Sequence, residues 1–206
     1  MFLTQLGAWD YHAFTLINNM AGQYAILDWL MKGLSRYSPE ILVAFLVYLW
    51  FKGRAGTADQ RDHRTFVILA IAGTVFALAI GQVIGTLWFR PRPFTVHLVN
   101  MLLPHGADAS FPSHHALAAF AITTAAWFYD KRTGIVFGIF AILVGISRPF
   151  VGAHYPLDIT GGAFIGIAAM TVVYKGRVIL MKPAAFIVRI YEKIEFTIPG
   201  LRALHW

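Results

Sequence analysis

From Thr65 to Phe89 the chain runs 25 residues without one charged side chain. A helix rising about 1.5 Å per residue crosses the ~30 Å hydrocarbon layer of a bilayer over that distance with room to tilt. The run ends abruptly at Arg90-Pro91-Arg92-Pro93. Composition agrees with a membrane setting, since the 206 residues are 58% hydrophobic and only 13% charged, with a mean hydropathy of +0.62. That leaves too little polar material to surround a soluble core of this size. The expected fold is therefore an all-α, polytopic membrane helix bundle in a single domain.

Other stretches fill in the bundle. Residues 10–35 are apolar but interrupted by Asp10, His12, Asp28 and Lys32, so this helix either spans or lies in the interface. Residues 40–51 form a second apolar run, long enough to cross when counted from Tyr37, and the charged, glycine-containing residues 52–64 read as an exposed loop. Residues 90–114 hold prolines with His97, His105 and His114, a structured loop outside the bilayer core. Loops this long in compact chains usually carry function. Residues 113–132, 133–152 and 156–175 give three more spans that reach full length only with their polar ends included, which puts those ends at the membrane edge. About six transmembrane helices result, with a core near residues 25–175 and a basic tail at 176–206. In that tail Ile187, Ile190, Tyr191, Ile194 and Ile198 recur at helical spacing, as in an interfacial helix. Gly81 and Gly85, Gly134 and Gly138, and Gly162 and Gly166 have the spacing that lets membrane helices approach closely. The first nine residues show no basic region or cleavage site, so no removable signal peptide is expected. With no cysteine, thiol catalysis and disulfides are excluded.

A net charge of +7 would suggest nucleic acid as the partner of a soluble protein, but here the charges flank apolar spans and point to the bilayer. Of the 17 lysines and arginines, twelve fall on one side of the alternating spans: Lys52, Arg54, Arg61, Arg64, Lys131, Arg132, Lys175, Arg177, Lys182, Arg189, Lys193 and Arg202. The positive-inside rule makes that side cytoplasmic. Arg90, Arg92, Arg148 and the histidine-bearing loops then face the extracytoplasmic side, with Lys32 and Arg36 as ordinary flanking charges.

The chemistry concentrates in three places: Arg92-Pro93, Pro112-Ser113-His114-His115, and Ser147-Arg148 followed by His154 and Asp158. Singly, Arg148 reads as a snorkelling charge, His154 as an interfacial histidine and Pro112-Ser113 as a helix start. Jointly they make a phosphate cradle, with planar donors on Arg92 and Arg148 and Ser113 as N-cap beside the positive end of a helix. Asp158, four residues after His154, is placed to hydrogen-bond the far imidazole nitrogen and leave His154 as the candidate nucleophile. Two rivals stand beside this reading. His97, His105, His114, His115, His154 and Asp158 share one side and could suit zinc, although no HxxxH pair is present. A lipid transporter or scaffold would leave the coincidence of arginine, serine, histidine and aspartate unexplained.

These three motifs resemble the signature of the type 2 phosphatidic acid phosphatase superfamily over roughly residues 25–195. Residues 107–113 and 188–192 are similar to the bacitracin-resistance type of undecaprenyl diphosphate phosphatase. The resemblance implies hydrolysis of a polyprenyl diphosphate, undecaprenyl diphosphate, to the monophosphate and inorganic phosphate through a phosphohistidine at His154. It implies no cofactor or metal, a place in the bacterial inner (plasma) membrane, and a part in carrier-lipid recycling and bacitracin resistance. His115 is expected to protonate the leaving oxygen and then activate water. A broader lipid phosphatase acting on phosphatidic acid or phosphatidylglycerophosphate, or a phosphotransferase, would use the same motifs. Two positions depart from the family pattern. Gly85 stands where many members carry lysine, so that Arg90 either supplies the missing phosphate contact or anchors to headgroups. His114, at a position commonly glycine or aspartate, either meets a second phosphate or caps the helix, and Asp108 is expected to hold the loop or an arginine.

Overall fold

The computed structural model describes residues 2–53 and 56–198, and every regular element within them is a helix. In chain order these are α1 (Phe2–Asn18), α2 (Ala25–Phe51), α3 (Ala58–Leu87), α4 (Pro93–Val96), α5 (His114–Tyr129), α6 (Lys131–Phe150), α7 (Pro156–Lys175) and α8 (Arg177–Thr197). Arg54 and Arg202, two of the charges assigned to the cytoplasmic side, lie outside the described residues.

α5 is the axis of the bundle. Ala116, Leu117, Ala119, Ala121, Ile122, Ala125 and Ala126 are all buried, so small residues ring this helix and α3, α6 and α7 close around it. A helix apolar on every side belongs in the middle. Its closest neighbour is α7, where a Cβ added at Gly162 would come within 2.6 Å of the Ser113 carbonyl oxygen. That approach sets the first turns of α5 and α7 side by side, and the Ser113 N–H donates to the Asp158 carbonyl at 3.0 Å. Leu42, Leu46 and Leu49 of α2 and Phe66, Val67 and Ala70 of α3 complete the interior. Outward faces stay apolar: Ile135, Val136 and Ile139 of α6 are all exposed, as a lipid-facing helix requires. α3, α6 and α7 are each long and apolar enough to cross a membrane.

Two expectations change. Residues 10–35 are not one helix, because the chain turns between Asn18 and Ala25, where the Gly22 N–H donates to the Asp28 carboxylate at 3.0 Å. Asp28, an apparent interruption of a span, closes that turn. Beyond it α2 runs unbroken through Pro39 to Phe51, since one missing backbone donor does not end a helix whose inner face is packed. Residues 10–35 and 40–51 are thus not two separate spans. Residues 52–64 are not one exposed loop either. Thr57 caps α3 by accepting from the Gln60 N–H at 3.3 Å, and Gln60, His63 and Arg64 are buried inside that helix.

Partners too distant in sequence to be seen explain the second change. Arg61 pairs with Glu192 at 2.7 Å and Arg64 with Glu195 at 2.8 Å, clamping α8 to the start of α3. Arg64 also lies 4.6 Å from the centre of the Tyr191 ring, a cation–π contact. α8 therefore has two faces: Ile187, Ile190, Ile194 and Ile198 point outward as an interfacial stripe, while Val188, Glu192 and Glu195 turn inward. At the opposite end, α1 packs on α6 and α7 through their extremities. Asn18 donates to the Phe150 carbonyl at 2.9 Å, Phe14 meets Tyr155 edge-on, and Tyr11 stacks on His97. α1 lies across the end of the bundle.

Arg64 and Glu195 have no exposed side-chain surface, so removing one strands the other as a buried charge. Glu195→Ala should lower stability by about 3–5 kcal/mol in denaturant unfolding of the detergent-solubilised protein. The apolar pair Arg64→Met with Glu195→Leu should recover most of that loss. A single variant as stable as the parent would mean that this pair does not hold α8 in place.

Candidate active site

The turn between α6 and α7 carries His154. It doubles back at Gly152, whose φ of +86° suits glycine and where a Cβ would meet the Asn100 carbonyl at 3.0 Å. The Ala153 N–H donates to the Arg148 carbonyl at 3.0 Å, and Leu102 of the long loop donates to the Val151 carbonyl at 3.2 Å, pinning loop and turn together. His154 ends up 2% exposed.

Its tautomer follows from its neighbours. Nε2 accepts from Arg92 Nη1 at 2.9 Å, and because a guanidinium can only donate, Nε2 carries the lone pair. The proton therefore sits on Nδ1, which donates to the Ser110 carbonyl at 2.8 Å. Asp158 was expected to be that partner, but its Oδ2 is 3.6 Å from Nδ1, beyond a hydrogen bond. Its oxygens are engaged elsewhere. Oδ2 accepts from the Ser110 hydroxyl at 2.5 Å and the Tyr155 N–H at 2.8 Å, and Oδ1 accepts from Arg90 Nη1 at 2.7 Å. Ser110 thus stands between carboxylate and imidazole, and nothing in the spacing of charged residues pointed to it.

Arg92 and Arg148 flank the imidazole in different states. Arg92 is held by Asp108 at 3.1 Å and also donates to the Ala153 carbonyl at 2.9 Å. Arg148 is 1% exposed and has no carboxylate partner among the described residues. It donates to the Ser35 hydroxyl and to His105 Nε2, both neutral, while its Nε is buried without a partner. Ser113 occupies the N-cap position of α5 as expected, yet its hydroxyl caps nothing and is likewise buried and unpaired. His115, one turn position on, lies within electrostatic reach of Arg148, His154 and His105.

Burial, reinforced by Arg148 and Arg92 and opposed by Asp158, pushes the His154 imidazole down to about 4. Burial and then the same two arginines bring His105 to about 4 as well. Both rings are neutral at pH 7. Burial works to raise the Asp108 carboxyl, and the hydrogen bond and charge of Arg92 outweigh it, holding it below the usual carboxylate range.

The remaining expected site residues have other partners. Arg90 is not free for a phosphate or a headgroup: it bridges Asp158 and Asp10, the latter at 2.5 Å. His114 is the first residue of α5, after the N-cap Ser113, and lines a cavity of about 370 Å³ with Gly81, Gly85, Asp108 and Pro112. His97 is taken up in its stack on Tyr11. Among the described residues no three histidine, aspartate or glutamate side chains are arranged to hold a metal ion. Asp10 escaped the sequence reading, although an acid in an apolar segment is a standing sign of function in membranes.

Residues 64–181 match the PAP2 superfamily, which spans α3 to α7 and so includes every motif around His154. The chain belongs to this superfamily. It is 34% identical to the undecaprenyl-diphosphatase BcrC of Bacillus subtilis (strain 168) over 186 residues, 90% of this chain and 93% of that one. It is 32% identical to an undecaprenyl-diphosphatase of Sulfolobus acidocaldarius over 74% of this chain and 71% of the relative. The crystal structure of Aquifex aeolicus LpxE superposes with a TM-score of 0.67 at 26% identity, covering 80% of this chain and 94% of that one. The PAP2 likeness seen in the sequence is thereby established, as is the all-helical fold.

This PAP2 chain makes a direct prediction for its central histidine. Nitrogen-15 NMR of histidine-labelled protein should find His154 neutral with its proton on Nδ1 at pH 7, and still neutral well below the ordinary 6.5, down toward about 4. The sign follows from burial, which disfavours the charged ring. An imidazolium at pH 6, or a proton on Nε2, would overturn the assignment.

Proposed function

We propose that this protein hydrolyses undecaprenyl diphosphate to undecaprenyl phosphate and inorganic phosphate through a phosphohistidine at His154. The observation that carries the reading is Arg148, a guanidinium buried against the neutral imidazole of His105 and paired with no carboxylate among the described residues. A charge so placed is costly unless an anion arrives. The names of the relatives supply the substrate, and the geometry supplies a use for each residue.

The terminal phosphate enters between Arg92, Arg148, the Ser113 hydroxyl and the uncapped first turn of α5. Competing with Asp108 for Arg92, it draws that guanidinium off Nε2 and uncovers the lone pair. Nε2 then attacks phosphorus and the bond to the bridging oxygen breaks; His115, which holds a proton only once the negative charge of the diphosphate offsets Arg148 and Arg92, delivers it to the departing lipid phosphate. Nδ1–H stays on the Ser110 carbonyl throughout, and Asp158 offsets the charge of the phosphorylated ring. His115 next takes a proton from water, which attacks the phosphohistidine and frees phosphate and imidazole. Positioning and charge account for most of the rate in phosphoryl transfer, and no metal is needed for these steps.

One domain carries this chemistry in the bacterial inner membrane. α3, α6 and α7 are long and apolar enough to cross; we read α2 and α5 as crossing beside them, with α1 and α8 at opposite ends of the bundle. Lys52, Lys131, Arg132, Lys175, Lys182, Arg189 and Lys193 gather at the α8 end, which the positive-inside rule makes cytoplasmic. The site then opens extracytoplasmically, where a carrier lipid is released after delivering its cargo. Recycling that lipid would also oppose bacitracin.

Purified protein should release phosphate from undecaprenyl diphosphate in EDTA. His115→Ala should slow turnover ~10²- to 10⁴-fold and accumulate phosphohistidine after a burst of lipid monophosphate, whereas His154→Ala should form none. A burst surviving in His154→Ala, or activity restored only by added metal, would sink the mechanism.

Orientation has its own test. A cysteine in place of Ala107 should react with a membrane-impermeant maleimide in intact cells and one in place of Ala58 should not; the reverse pattern would invert the topology.

A further inference from the structure

Asp10 is 4% exposed on a helix that otherwise only covers the end of the bundle. Both its oxygens are used. Oδ1 accepts from the Leu157 N–H in the first turn of α7 at 2.9 Å, and Oδ2 accepts from Arg90 Nη2 at 2.5 Å. The other end of the Arg90 fork, Nη1, donates to Asp158 at 2.7 Å. The guanidinium lies 4.2 Å from the centre of the Tyr155 ring, and the Arg90 carbonyl accepts from the Ser110 N–H at 2.8 Å. One cation is therefore stretched between two buried carboxylates, and its backbone steadies the residue whose carbonyl holds His154.

We infer that Asp10 is a positioning residue for the nucleophile, acting through Arg90 and Asp158. The inference rests on the phosphohistidine reading of His154. Arg90 has donors enough to grip Asp158 with both arms, the arrangement guanidinium and carboxylate prefer. Asp10 holds one arm away. Asp158 then meets Arg90 through Oδ1 alone and keeps Oδ2 for the Ser110 hydroxyl and the Tyr155 N–H. With Asp10 neutralised, Arg90 closes on Asp158, Oδ2 leaves Ser110, and the Ser110 carbonyl no longer fixes the proton on Nδ1. The phosphate donors Arg92, Arg148 and Ser113 are untouched. The loss should fall on the chemical step and not on binding.

Asp10→Asn in the full-length protein keeps an oxygen for the Leu157 N–H, while its NH2 replaces the charged oxygen that accepts from Arg90. With undecaprenyl diphosphate, kcat should fall ~10²-fold with KM nearly unchanged, the scale expected when a reacting group is displaced by about 1 Å. Arg90→Gln should cost a similar factor, and the double variant no more than Arg90→Gln alone, because the two act in series. Independently of turnover, nitrogen-15 NMR should show His154 as a single Nδ1–H tautomer in the parent and a mixture in Asp10→Asn. An unchanged tautomer in the variant overturns the inference whether or not the enzyme turns over. Losses that multiply in the double variant overturn it too, as does a rise in KM at constant kcat. A parent protein that forms no phosphohistidine would refute the reaction proposed above and leave the tautomer measurement to decide the role of Asp10.

Discussion

Arg148 is a positive charge sealed at the end of α6, whose hydrogen-bond partners among the described residues are the neutral acceptors Ser35 and His105 and include no carboxylate. Taking a guanidinium out of water is unfavourable by several kcal/mol, and neutral partners recover part of that. The rest of the site is arranged around this imbalance. α2 contributes Ser35 from its middle, and the long loop contributes His105, whose burial near two arginines keeps it neutral and so able to accept. Arg92 adds a second guanidinium, shared among Asp108, the Ala153 carbonyl and His154.

The two helices that begin at the site are treated in opposite ways. α7 starts with its N–H groups engaged: Asp158 takes the donor of Tyr155 and Asp10 that of Leu157. α5 starts beside it with no side-chain cap, and the serine at its N-cap position keeps a buried, unpaired hydroxyl. Helix N-termini attract anions through these donors and through the macrodipole. Two carboxylates neutralise one terminus while the other stays available. The glycine contact of α7 on α5 makes the contrast effective, since it sets both termini on the same few ångströms of structure.

Much of this was legible in the sequence because buried charge in an apolar chain stands out. Arg92, Ser113, Arg148, His154 and Asp158 were found by spacing, and the structure gathers them. Helix boundaries were harder to see. Asp28 and Pro39 look like interruptions until the turn at Gly22 and the packed inner face of α2 are visible, and Arg61 and Arg64 look solvent-bound until Glu192 and Glu195 are placed opposite them. Ser110 and Asp10 were missed for a different reason. One acts through a backbone carbonyl, which no side-chain pattern encodes, and the other lies 80 residues from its partner Arg90 and 147 from Leu157.

The chain contains its own control for the meaning of Arg148. Arg64 is buried as completely, also on a helix near the membrane edge. Arg64 has Glu195 against it and aromatic rings on its faces, the arrangement expected of a charge whose task is to hold α8 on α3. Among the described residues Arg148 pairs with no acid; it feels Arg92 first and Asp108 more weakly. Sequences under selection for folding alone would supply a carboxylate or replace the arginine by an apolar side chain, as buried ion pairs generally tolerate. Under the reaction proposed above the imbalance has a use, since the phosphate group that binds, reacts and leaves would bring the balancing charge.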